Sequence, residues 1–386
     1  MAIHTISPSI EVLHPPGDST FASTAHHIGN PPNSFRNPWP SFRDKKGLLS
    51  AFQTRFSPNR NFVPVPPTRD ELVPIRKPDW GADSPSKLRV TWIGHASFLL
   101  ETSIAPGGGR GVRILLDPVF SDRVGPWGLV GPKRFSPTPC VLEDVPEVDA
   151  VIISHNHYDH LDVETVKALY SSRKRDMHFF CGLNIKSWFV SSGIAAKDVT
   201  ELDWWHGAKL KVKDIGSVKL TCTPSQHFSG RSLFDGGAGL WCSWVVEEAG
   251  TKSMRKLYFA GDTGYRSVNE DDAGKDESTL PHCPAFAQIG EKYGPFDLAL
   301  LPIGCYTPRT FMSNVHCAPE DSVCIHKDIR SKKSLGMHYG TIRGGLSAHY
   351  EDVREPPRRW KDCCERAGLM WGEEIILCDL GETVAV

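Results

Sequence analysis

Between Ser154 and His160 the chain reads Ser-His-Asn-His-Tyr-Asp-His, so that His155, His157, Asp159 and His160 put four metal-donor side chains into six residues. Asp149-Ala150-Val151-Ile152-Ile153 precedes them, an apolar and β-branched run that predicts a buried strand. Asp162 follows, placed to cap a helix with Val163, Val166, Leu169 and Tyr170 on one face. The donors therefore occupy a strand-to-helix turn. In an extended turn His155 and His157 project to one side, while Asp159 and His160 can reach a second point. That spacing suits two adjacent divalent ions, and imidazole with carboxylate suits zinc and its neighbours.

Three later segments share this form, a donor just past an apolar strand. His227 ends Thr223-Pro224-Ser225-Gln226-His227, Asp262 follows Leu257-Tyr258-Phe259-Ala260-Gly261, and His338 follows Leu335-Gly336-Met337. Each one alone is more often a satisfied polar residue than a ligand. Asp117, after Ile114-Leu115-Leu116, has the same placement and reads as the acceptor for a ligand histidine's free N–H, fixing its tautomer.

Further strands are expected at 88–93, 97–100, 112–116, 177–181, 218–223, 240–247, 256–260, 298–303, 334–337 and 374–378, the last closing the chain. Helices are expected at 183–191, 284–293, 319–329 and about 351–366. Strand pairs early and strand–helix alternation later predict one α/β domain over 81–386, with helices covering its sheets. Residues 1–80 read as a Pro-rich, partly disordered arm, a tail to about 25 followed by an extended segment lying on the core. An alternative for 35–62 is contact with a lipid surface through Phe35, Trp39, Phe42, Phe52, Phe56 and Phe62 and the basic Arg36, Arg43, Lys45, Lys46 and Arg55. The loop at 120–146 is a candidate rim of a site, and acidic Asn269–Ser278 reads as a solvated insertion.

A formal charge of −1 argues against nucleic acid as a partner bound through a broad basic surface. Eleven scattered cysteines fit a reducing compartment. No apolar run is long enough to span a bilayer, and no secretory signal is legible. The expected location is intracellular, cytoplasmic or peripheral on an organelle membrane, and not secreted.

Asp117, His155-x-His157-x-Asp159-His160, His227, Asp262 and His338 occur in the order of the five metal-site motifs of the metallo-β-lactamase fold, which the chain resembles. Within that superfamily it is similar to the N-acylphosphatidylethanolamine-hydrolysing phospholipase D family. The similarity lies in Trp92-Ile93-Gly94-His95-Ala96, Gly131-Pro132-Lys133-Arg134-Phe135, Glu201-Leu202-Asp203-Trp204-Trp205, Phe259 through Tyr265, Gly294 through Ala299 and Pro302-Ile303-Gly304. The resemblance implies an αββα sandwich of two mixed β-sheets flanked by helices. It also implies two Zn2+ per chain, with Mn or Fe as alternatives. One ion would be held by His155, His157 and His227. The other would be held by Asp159, His160 and His338, with Asp262 bridging.

The implied reaction is hydrolysis of an N-acylphosphatidylethanolamine to phosphatidic acid and an N-acylethanolamine. Two metals lower the pKa of a shared water, so that hydroxide can attack phosphorus at neutral pH. Asp159, Asp262 and His316 are the expected catalytic residues, His316 as the source of the leaving-group proton or as support. Tyr158 and Arg231 are expected at the substrate, Trp204 and Trp205 in the core or groove wall, and Lys133 and Arg134 near anionic headgroups. A phospholipid and a peripheral membrane surface are the expected partners, and a homodimer is left open. The competing functions are hydrolysis of another small ester, lactone or sugar phosphate on the same fold, and a non-catalytic metal- or lipid-binding scaffold.

Overall fold

In the computed structural model, which describes residues 8–14, 24–43, 48–58, 60–104, 107–172, 177–232, 234–249 and 254–386, two mixed sheets face each other. The strands are β1 (Ser9–Leu13), β2 (His27–Ile28), β3 (Ser34–Phe35), β4 (Arg89–Gly94), β5 (Ser97–Glu101), β6 (Arg113–Leu116), β7 (Ala150–Ile152), β8 (His178–Gly182) and β9 (Val199–Leu202). They continue as β10 (Gly207–Val212), β11 (Gly216–Thr223), β12 (Ser243–Ala249), β13 (Lys256–Phe259), β14 (Leu298–Pro302), β15 (Ser334–Met337), β16 (Ile375–Ile376) and β17 (Thr383–Ala385). The helices are α1 (Leu48–Arg55), α2 (Val163–Ser172), α3 (Lys186–Ser191), α4 (Ala285–Tyr293), α5 (Arg309–Met312), α6 (Pro319–Asp328) and α7 (Glu355–Arg366).

One sheet has the order β17-β4-β5-β6-β7-β8-β9 and the other β1-β10-β11-β12-β13-β14-β15-β16. Each is antiparallel on one side and parallel on the other, the parallel stretches being β6 to β9 and β13 to β16. Alternation sorts the side chains of β7: Ala150 and Ile152 face the opposite sheet, and Val151 faces α2 and α3. Trp92, Phe98, Ile114 and Phe180 meet Leu220, Trp244, Phe259 and Leu300 in the space between the sheets. Val166, Leu169 and Phe189 close the outer face of one sheet, and α4, α6 and α7 cover the other. This is the αββα sandwich expected.

Several boundaries moved for local reasons. Helix α7 starts at Glu355 and not near 351, because Pro356 and Pro357 are tolerated only in a first helical turn. Strand β12 starts at Ser243 and not Leu240, since the Leu240 and Cys242 amides donate to Leu183 and Ser154 instead of to the sheet. β16 does not close the chain: β17 crosses to the other sheet and pairs with β4.

The tail of the arm also differs from its expectation. Within the expected tail, β1 pairs along β10 as a sheet edge, with Glu11 opposite Lys209; residues 1–7 and 15–23 lie outside the described residues. Trp39 stacks on Trp204 at 5.3 Å, and the Ser41 hydroxyl donates to Gln226 Oε1 at 2.6 Å. Arg36 and Arg43 bond within the protein, Arg43 to Asp272 at 2.6 Å. Asp272 is thereby buried within an otherwise mostly exposed acidic insertion. Lys45 and Lys46 lie outside the described residues. Arg134 is no headgroup ligand, since it is buried and donates to the Ser121 and Val119 carbonyls.

Candidate metal centre

Every expected donor comes to one edge of the sandwich, because the strands that carry them end there. Strand β7 delivers the turn of His155, His157, Asp159 and His160. His227, Asp262 and His338 follow β11, β13 and β15, and Asp117 follows β6. Gly261 carries φ +58°, and a Cβ on it would stand 2.5 Å from that of Ser154, so no larger residue fits this approach of β13 to the turn.

Two pockets result. In the first, His157 Nδ1 lies 2.8 Å from His155 Nε2 and 3.2 Å from His227 Nε2. In the second, Asp262 Oδ2 is 3.1 Å from His160 Nε2 and Asp262 Oδ1 is 3.0 Å from His338 Nε2. The two imidazoles stand 3.3 Å apart, and Asp159 Oδ2 is 4.0 Å from His160 and 3.9 Å from His338. Asp262 Oδ2 also faces the first pocket, at 4.0 Å from His155 and 3.8 Å from His227, so it stands between the two.

Hydrogen bonds behind the donors fix which nitrogen of each ring points inward. The Ser154 hydroxyl donates to Asp117 at 2.5 Å, so its oxygen accepts from His155 Nδ1–H at 2.9 Å. His227 Nδ1–H donates to the Val315 carbonyl at 2.8 Å, and His160 Nδ1–H donates to Asp117 at 2.7 Å. The Nε2 lone pairs of His155 and His227 then face His157, where one N–H satisfies at most one of them. Asp262 Oδ1 is buried with no hydrogen-bond partner and stands 3.0 Å from His338 Nε2. Converging lone pairs and an orphaned carboxylate oxygen in a buried site call for a cation, and the donors suit zinc-type ions.

Electrostatics separate the pockets. Burial, with the neighbouring imidazoles, pushes His155 well below the usual histidine range. Burial likewise lowers His227 and takes His157 down to about 4. Burial also opposes charge on His160, but Asp262, Asp117 and Asp159 overcome it and raise His160 to about 10. Against the same burial, Asp262 lifts His338 well above the ordinary value. Asp262 itself is held far down by His160, His338 and His316 despite its desolvation.

His316 sits at this centre, Nδ1 unpartnered and 3.9 Å from Asp262 Oδ2, with its ring 5.3 Å from that of His227. Burial takes it down to about 4, so at neutral pH it is an uncharged imidazole with one N–H to offer. Tyr158 and Arg231 are joined to each other. The Tyr158 hydroxyl donates to the Arg231 carbonyl at 3.1 Å, and the guanidinium lies 3.8 Å over the Tyr158 ring. Arg231 Nη1 donates to the carbonyls of Asn156 and Leu161, clamping both ends of the donor turn. One residue of the site was missed in the sequence: His95, buried, whose Nε2 is 3.0 Å from Asp159 Oδ2. Its signals were its place after a strand and a glycine and its membership of the family-like string Trp92-Ile93-Gly94-His95-Ala96. Beside the centre, Phe35, Phe42, Phe228, Trp241, Phe311 and Val315 line a largely apolar cavity of about 480 Å³.

Residues 112–339 match the beta-lactamase superfamily domain. The chain is 34% identical over 375 residues to N-acyl-phosphatidylethanolamine-hydrolyzing phospholipase D 1 of Caenorhabditis elegans, with 95% of each chain covered. It is 32% identical over 370 residues to the mitochondrial N-acyl-phosphatidylethanolamine-hydrolyzing phospholipase D of Saccharomyces cerevisiae, covering 87% of this chain and 72% of the yeast protein. Igni18, a metallo hydrolase from Ignicoccus hospitalis, shares the fold with a TM-score of 0.50 at 24% identity, over 78% of this chain and 98% of that one. The chain belongs to the beta-lactamase superfamily and, within it, to the N-acyl-phosphatidylethanolamine-hydrolysing phospholipase D family, and it is a metal-dependent hydrolase.

Proposed function

We propose that the chain is a dinuclear zinc phosphodiesterase that hydrolyses N-acylphosphatidylethanolamine-type phospholipids to phosphatidic acid and N-acylethanolamine. The observation that carries this reading is the pair of donor pockets joined by Asp262 beside a largely apolar cavity, in a chain whose relatives bear that substrate in their names. His155, His157 and His227 would hold one zinc, Asp159, His160 and His338 the other, and Asp262 both. Bound there, two divalent ions supply a nucleophilic water at neutral pH and offset the phosphodiester's charge.

The chain's own groups do the rest. Asp117 keeps His160 and, through Ser154, His155 in the tautomers that face inward. His316 presents a neutral N–H at the edge of the centre, placed to bond a substrate oxygen as the leaving group departs. The six apolar residues of the cavity give acyl chains a place out of water.

A lipid surface fits the exposed aromatics. Phe234, 96% exposed, lies on the loop bordering the cavity. Phe52 on α1 and Phe56 just past its end are 62% and 55% exposed, and Ser50, Gln53 and Thr54 of that helix adjoin Phe311. Among the described residues no helix is long and apolar enough to cross a membrane. The test is a zinc-loaded chain on vesicles containing N-acylphosphatidylethanolamine. Release of phosphatidic acid and N-acylethanolamine, abolished by chelation, is expected. A fully loaded chain that makes no phosphatidic acid while cleaving a lactone or small ester overturns the reading.

A further inference from the structure

Away from the catalytic centre, the described residues contain one further place where imidazoles converge on a carboxylate. His26 and His27 are adjacent in the arm, at the start of the β2–β3 hairpin, and both aim Nε2 at Asp203. His26 is 2.8 Å from Oδ1 and His27 is 2.8 Å from Oδ2. Asp203 directly follows β9, and His206 closes the same turn by donating its backbone N–H to the Asp203 carbonyl at 3.1 Å. The three candidate ligand atoms all lie within 4.8 Å of one another. The His26 side chain is 3% exposed and stacks on Trp204 with centroids 4.1 Å apart, while His27 stands edge-on to it at 4.3 Å. These ring contacts set the direction of both imidazoles before any ligand arrives.

Two imidazole nitrogens and a carboxylate form a donor set that zinc-type ions take. The same three groups also satisfy one another as two hydrogen bonds. The two arrangements differ in what the nitrogens carry toward Asp203, a proton each or one shared cation.

We propose that His26, His27 and Asp203 form a further metal site, taking a single first-row divalent ion such as zinc and fastening the arm to the catalytic domain. Its place gives it a consequence for the catalytic centre. From His27 the arm runs through β3 to Asn37, whose Nδ2 donates to the carbonyl of His227 at 2.7 Å. Phe35, Arg36, Asn37 and Phe42 form one wall of the cavity beside that centre. An ion at His26 and His27 thus ties the seating of a substrate wall to metal supply, without sharing a donor with the catalytic pockets.

The test counts zinc per chain after equilibration with Zn2+ and desalting, in the wild type, in His27→Gln and in the double variant His26→Ala/His27→Ala. Glutamine can donate an N–H to Asp203 as a neutral histidine does, but its amide is a poor zinc ligand, so His27→Gln keeps a hydrogen-bonded clamp and removes the metal site. Both variants are expected to hold one equivalent less than the wild type. Zn2+ is expected to slow hydrogen exchange over residues 24–37 in the wild type but not in His27→Gln. Equal zinc content in the wild type and His27→Gln overturns the proposal, and that comparison decides even if the double variant fails to fold. The compared chains have identical catalytic donors, so the difference stands whether or not phospholipid is the substrate.

Discussion

His155, His157 and His227 meet as three uncharged imidazoles, whereas His160 and His338 meet Asp159 and Asp262, two bases against two acids. The first pocket is uncharged: burial keeps its histidines neutral, with His157 lowered to about 4. The second holds protons where a metal would go, with His160 raised to about 10. One pocket is therefore preset for a cation, and the other exchanges protons for one. Asp262 faces both, so its loss should disturb both at once.

Asp262→Asn is expected to have the largest effect. Both pockets lose a charged donor, so metal content should fall at both and activity should drop well beyond the about 10–100-fold typical of losing an outer hydrogen bond. Metal counting beside a turnover assay checks this. Single losses should then separate the pockets. His155→Ala is expected to remove the metal of the first and His338→Ala that of the second, each leaving about one equivalent in the catalytic centre. Equal loss of both metals from either variant would show that the pockets are not separable.

Asp117→Asn comes next, with an expected cost of about 10–100-fold in metal affinity or turnover. The loss should be heavier in the second pocket, because His160 bonds Asp117 directly and His155 only through Ser154.

The pH dependence sharpens the same contrast. His160 and His338 have raised values in the metal-free chain, so they are protonated at neutral pH and must release protons to bind metal. Affinity in the second pocket should rise with pH by up to about tenfold per unit for each proton displaced. It should stay nearly flat in the first pocket down to about pH 4, where His157 takes up its proton. Calorimetry in buffers of different ionisation enthalpy reads both. The smallest expected effect is that of Asn37→Ala, which removes one hydrogen bond to the His227 carbonyl. About 1 kcal/mol, or roughly fivefold, is expected, seen mainly in KM.

Within each pocket the donors differed in how far they could be read from the chain. Four donors were legible because one turn holds them at adjacent positions, between an apolar strand and a helix start. His227, Asp262 and His338 were weaker, each a lone polar residue at a strand end, and they gained meaning from their order and from the resemblance. His95 stood in a string shared with the family but was given no place at the site. A single histidine after Gly94 carries no periodic signal, and only the fold brings it 3.0 Å from Asp159, 64 positions away.

The sheet interiors were legible from buried runs such as Leu298–Pro302, whereas the margins were not. Strand β1 has five residues and owes its structure to pairing with β10, β17 has three, and β10 opens on Gly207 and Ala208, which have weak strand preference. The helix expected near 351 was misplaced because two prolines constrain only where a helix can begin.

If the two pockets act together on a phosphodiester, water enters at phosphorus. Hydrolysis of N-acylphosphatidylethanolamine vesicles in 18O-enriched water tests it directly. One 18O atom is expected in the phosphate of the phosphatidic acid and none in the N-acylethanolamine. Label in the N-acylethanolamine hydroxyl, with unlabelled phosphatidic acid, would contradict it.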